Sequence, residues 1–165
     1  MIRIIICLLA SFVAVSDGLR ADDARDRGGD FETEFVYEAH VTIGDIVEVG
    51  ETAKGIRRYI PITGGRFEGP RLKGTVLPGG ADWQTERTDG GIELDALYSM
   101  RCDDGTVIIV RNQGIISPGG SYLKTTPTFT VPDGPHNWLD DFLYIGTVSG
   151  SEEPDTVVIR VFRVK

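Results

Sequence analysis

The chain has 165 residues, 41% of them hydrophobic and 25% charged, which fits one folded domain and excludes a disordered chain. Its formal net charge is −8 and it carries no run of lysine and arginine, which argues against nucleic acid or an anionic membrane surface as the main partner.

At the N-terminus, Arg3 precedes an unbroken apolar or small run from Ile4 to Val15, with Ala14 and Ser16 at the −3 and −1 positions of a cleavage site. Such a run is too short for a comfortable membrane span, which takes roughly 20 residues. Residues 1–16 therefore read as a secretory signal peptide, cut after Ser16 or after Ala21. The expected location is secreted or periplasmic. Cys7 falls inside the apolar run, so the processed protein would keep Cys102 alone, read as a buried strand-end thiol rather than a disulfide partner. Residues 17–30 are charged and poor in apolar side chains, a flexible linker by composition. The domain proper is 31–165.

From Phe31 onward the pattern is strands and turns. Phe31–Val41 alternates aromatic and charged residues, and Asp45–Val49 is a short strand. Gly55–Thr63 places Ile56, Arg58, Ile60 and Ile62 on one parity, and Arg57, Tyr59 and Thr63 on the other. Arg71–Leu77 and Ala81–Arg87 follow, separated by Pro78-Gly79-Gly80. Gly91–Met100 has the cleanest period of two, with Ile92, Leu94, Ala96, Tyr98 and Met100 on one face. It lies between two hairpin-type turns, Asp89-Gly90-Gly91 and Asp103-Asp104-Gly105. Thr106–Asn112 and Thr156–Val164 are apolar on both parities, as in strands covered on both sides. Ser121–Thr130 contains Pro127, which implies an edge or a bulge. Phe142–Val148 completes the set, and only Asn137–Asp141 suggests a helical turn. The predicted fold is all-β: a single antiparallel barrel of about eight to ten strands with little or no helix.

The stretch PITGGRFEGPRLKGTVLPGGADW (Pro61–Trp83) combines GG-x-F-E-G-P with PGG-A-D-W. Together with DGGIELDALYSMRCDDGTVIIVRNQG, YLKTTPTF and NWLDDFLYIG, it resembles the family known as domain of unknown function 3237, or uncharacterised protein family 0311. The resemblance spans nearly all of Phe31–Lys165. It implies a small β-barrel and brings no established activity or catalytic residues.

Candidate chemistry therefore comes from the residues themselves. Glu68 and Asp82 each sit beside a glycine-rich corner, where they could form an acid/base pair, with burial raising one pKa. Arg58 shares the isoleucine parity and would orient an anionic group. Trp83, Tyr98, Tyr122 and Trp138 are candidate walls for an apolar or aromatic ligand. No His/Cys/Asp cluster has metal-site spacing, no phosphate loop is present, and no cofactor is expected. Three readings remain open. The protein is a barrel that binds a small molecule in its lumen. Alternatively it is an enzyme of the same shape doing acid/base chemistry (isomerase, cyclase or lactone hydrolase). Or it is a structural homodimer joined through its doubly apolar strands.

Overall fold

The structure, a computed structural model, describes residues 31–165. The leader and linker expected over 1–30 lie outside the described residues. Ten strands carry the fold: β1 (Thr33–Ile43), β2 (Val47–Thr52), β3 (Gly55–Glu68), β4 (Lys73–Val76), β5 (Gly80–Glu86), β6 (Ile92–Cys102), β7 (Val107–Ile116), β8 (Leu123–Thr130), β9 (Tyr144–Gly150) and β10 (Thr156–Val164). Two single-turn 3-10 segments, Pro118–Gly120 and Asn137–Asp140, are the only helical pieces among the described residues.

All strand pairings are antiparallel, and the sheet closes because β1 pairs with both β10 and β3. Around the barrel the order is β1, β10, β9, β8, β7, β6, then β5 and β3. The 14-residue β3 makes this possible. Its first half pairs with β2 and β5, and its second half with β1 and β4. β4 and β5 thus share one place between β3 and β6, lying end to end. Closure removes the exposed edges that an open sheet would offer. The Gly64-Gly65 pair, which the sequence suggests as a corner, stays in the ladder opposite Thr42 and Val41. At Gly65, φ is +139°, and any Cβ would overlap the His40 carbonyl oxygen. Only glycine lets the two strands meet there.

The inward parity of each strand builds the core. Tyr37, Met100, Ile108, Val110 and Leu139 are essentially inaccessible. A register shift in β1 between Phe35 and Tyr37 brings both Val36 and Tyr37 into the interior. Aromatic rings fill one half of the barrel: Tyr37 meets Phe67 and Phe129 edge-on, and Phe129 meets Tyr144 with centroids 4.9 Å apart. Leu139, on the Asn137–Asp140 turn, joins this cluster, so that half is closed by packing. Fully burying each such side chain contributes about 1.5–3 kcal/mol. β7 alternates instead of being covered on both sides: Ile108 and Val110 point in, whereas Val107 and Ile109 are exposed on the outer wall.

Candidate functional site

The other half of the barrel is not filled. A cavity of about 150 Å³ lies between the ends of the strands. Ile43 closes β1, Ile116 closes β7, Leu123 opens β8, and Val157 stands near the start of β10; all four line it. Ile60, Ile62, Leu94, Ala96, Val148 and Ile159 add aliphatic wall, and Tyr98 belongs to the same lining. The polar lining residues are few: Asp82 and Gln84 on β5, Asn112 on β7 and Thr125 on β8.

Asp82 and Gln84 are two residues apart on one strand, so they share a face. Gln84 Nε2 donates to Asp82 Oδ2 at 2.7 Å, and the Asp95 backbone N–H donates to Asp82 Oδ1 at 3.2 Å. Behind them, Arg58 Nε donates to Gln84 Oε1 at 2.9 Å. The guanidinium also lies 3.6 Å from Glu86. Arg58 therefore fixes the glutamine amide, and the amide fixes the carboxylate. Burial raises the Asp82 pKa above its ordinary value. The bonds from Gln84 and the Asp95 amide oppose that rise, the Asp95 charge adds to it, and the more distant Arg58 opposes it. Asp95 itself points outward, where two bonds from Arg111 hold its pKa low.

Across the cavity, Asn112 Oδ1 and Thr125 Oγ1 are buried with no hydrogen-bond partner among the described residues, while the Tyr98 hydroxyl lies beside that of Tyr37 in the packed half. Asn112 is set by register: Asp82 opposes Ala96 on β6, and Ala96 opposes Asn112 on β7. Two strand spacings, roughly 10 Å, therefore separate the backbones of the carboxyl and the amide. Thr125 stands at the one ladder position linking β8 to β9, opposite Gly146. A Cβ on Gly146 would overlap its hydroxyl oxygen. Buried polar atoms are normally paired, so unpaired ones around a cavity are positions where a ligand can be read.

The expected acid/base dyad does not form. Glu68 is exposed at the far end of β3, opposite Glu38 and Lys73. It lines an outer groove with His40 and Arg66, not the cavity. Eight residues of β3 separate it from Ile60, the cross-strand partner of Asp82, or roughly 26 Å of extended chain. Trp83 is likewise corrected: next to Asp82 on β5, it takes the opposite face, 40% exposed, with its ring 4.6 Å from that of Tyr59 on the outer wall. Tyr122 is exposed under the Lys124 ammonium, adjacent to the lining residue Leu123 but not in the lining. Trp138 packs at the filled end, with the Arg71 guanidinium 4.0 Å from its ring centre. Of the residues singled out from sequence, the structure brings together Asp82, Tyr98 and, through Gln84, Arg58. Gln84, Asn112 and Thr125 are additions. Gln84 shares its parity with Asp82, and Asn112 continues the inward parity of Ile108 and Val110, so both carried a positional signal.

At the opposite end, three residues without metal-site spacing in the sequence come together. Ligand atoms of Cys102, Asp104 and His136 lie within 4.8 Å of one another.

These features define a small closed antiparallel barrel, packed solid at one end and hollow at the other, with one carboxyl set into an aliphatic wall. The chain belongs to the family described as "Protein of unknown function (DUF3237)", whose model matches residues 31–125. It is 37% identical over 149 residues to a UPF0311 protein of Rhodopseudomonas palustris, covering 81% of this chain and 96% of the relative. The crystal structure of the Rhodopseudomonas protein superposes with a TM-score of 0.75 over 83% of this chain and 99% of the other. A β-barrel-like protein from Acinetobacter baumannii, 29% identical, superposes at 0.74 over 83% of this chain and 98% of its own. The chain is also 31% identical over 114 residues to the hydroalkoxylation enzyme phnH of Penicillium herquei, covering 69% of this chain and 72% of that enzyme.

Proposed function

We propose that the cavity receives the apolar, ring-sized part of a small molecule and that Asp82 exchanges a proton with it. The observation that carries this reading is the half-buried carboxyl with a raised pKa, fixed in a largely aliphatic wall. A purely apolar binding site gains nothing from a desolvated acid, whereas proton transfer does. The volume limits what enters: a cavity of about 150 Å³ holds one benzene-sized ring. Larger molecules would project past the strand ends. The Asn112 carboxamide can accept from a ligand hydroxyl through Oδ1 or donate to a ligand oxygen through Nδ2, so it suits a ligand bearing a hydroxyl.

An acid facing an alkene and an acceptor holding a hydroxyl are the elements of intramolecular addition of an O–H across a C=C bond. In that reaction the Asp82 carboxyl gives its proton to one alkene carbon. The hydroxyl oxygen bonds to the other carbon, and the hydroxyl proton returns to the carboxylate. The reaction is an isomerisation and needs no cofactor. The relationship to a hydroalkoxylation enzyme supports this direction.

The test uses 2-(3-methylbut-2-enyl)phenol as substrate, with its cyclic ether isomer measured by chromatography. Wild type should form the ether, and D82N should lose at least about 100-fold in rate, the lower range for a general acid. D82N should still bind phenol, as followed by NMR shifts at Ala96 and Tyr98. Phenol binding without turnover in wild type would leave a carrier and refute the enzymatic step. Absence of phenol binding would refute the site.

A further inference from the structure

We propose that Cys102, His136 and Asp104 form a binding site for one divalent cation of the zinc class, at the filled end of the barrel and away from the cavity. Cys102 is the last residue of β6, Asp104 sits in the turn that follows, and His136 precedes the Asn137–Asp140 turn. A thiol sulfur, an imidazole nitrogen and a carboxylate oxygen are the ligand types that zinc takes, and all three fall within 4.8 Å of one another. Metal–ligand bonds of about 2.0–2.3 Å place tetrahedral ligands roughly 3.5 Å apart. The residues need to draw in by about an ångström, which the exposed Asp104 side chain can supply.

The histidine is already set for the task. His136 is 8% exposed. Its Nε2 is 3.0 Å from Asp104 Oδ2, close to the spacing of two ligands on one metal, so a cation that displaces the shared Nε2 proton is held by both. Asp104 is in turn held by the Thr106 backbone N–H at 2.9 Å.

An outer groove lined by Arg71, Lys73, Cys102 and His136 gives solvent a path to the site.

The experiment titrates the full chain, freed of metal by chelation, with Co²⁺ and then Zn²⁺. One equivalent of Co²⁺ should give thiolate-to-cobalt charge-transfer absorption in the near ultraviolet, and Zn²⁺ should displace it. C102S should lose the band. H136N, which removes a direct ligand, should weaken binding by more than the roughly 10–100-fold seen when groups merely supporting a metal are removed. Circular dichroism of both variants without metal controls for folding; H136N reports on the site even if C102S folds poorly. Absence of the band in wild type, its persistence in C102S, or unchanged affinity in H136N would each overturn the assignment.

Discussion

Asp82 lives in two environments at once. Its Oδ2 and Oδ1 receive bonds from Gln84 and the Asp95 amide, as a structural carboxylate would, yet burial outweighs them and lifts its pKa. The sign of the consequence follows from linkage. With the folded pKa above the unfolded one, the folded state holds the proton more tightly. As pH rises from the ordinary carboxylate value of about 4 through the raised value, the unfolded chain ionises first and stability falls. Urea unfolding across that window should therefore show wild type losing stability relative to D82N as pH increases. Equal slopes for the two proteins would mean that the Asp82 carboxyl is solvated like a surface group. The sequence made Asp82 visible as a carboxylate beside an indole. It could not show that Trp83 turns outward and that Gln84, one residue further, is the partner, because strand parity is decided by which face the closed barrel buries.

Among the elements, β5 matters most, because it carries Asp82 and Gln84 and must lie tight against β6. Gly80 makes that possible. A Cβ there would meet Tyr98 Cβ at 2.5 Å and the Leu97 carbonyl oxygen at 2.7 Å. G80A should cost about 1–3 kcal/mol by overpacking, seen as a lower midpoint in urea, and should weaken phenol binding by displacing Tyr98 from the cavity wall. Unchanged stability and binding would show that the close approach is not needed. The strands themselves were largely readable. Gly91–Met100 announced β6 by its period of two. The corner at Gly64-Gly65 was misread because glycine pairs usually turn a chain, whereas here they let β3 cross β1 at close range and carry Glu68 away to the outer wall. The doubly apolar pattern of Thr106–Asn112 also misled, since Val107 and Ile109 are exposed and only the inward parity is core.

For the molecule as a whole, the barrel followed from many short strands, glycine-rich turns and the absence of helical periodicity. Its division into a packed half and a hollow half did not. The packed half depends on Tyr37, Phe67, Phe129 and Leu139 meeting from four separate segments, and the hollow half on what is left between the other strand ends. The Cys102–Asp104–His136 cluster is invisible for a related reason: its hydrogen-bonded pair is 32 residues apart in sequence, and the β6–β7–β8 pairing brings the turn after β6 beside the segment after β8. The account rests on Asp82 facing a ligand in the hollow half. Carboxyl carbon NMR of the full chain, titrated over pH with and without saturating phenol, tests this most directly. The Asp82 resonance, identified by its loss in D82N, should titrate above the surface aspartates. It should move higher still when phenol displaces water from the cavity. An Asp82 that titrates with the surface aspartates and ignores phenol would contradict the account.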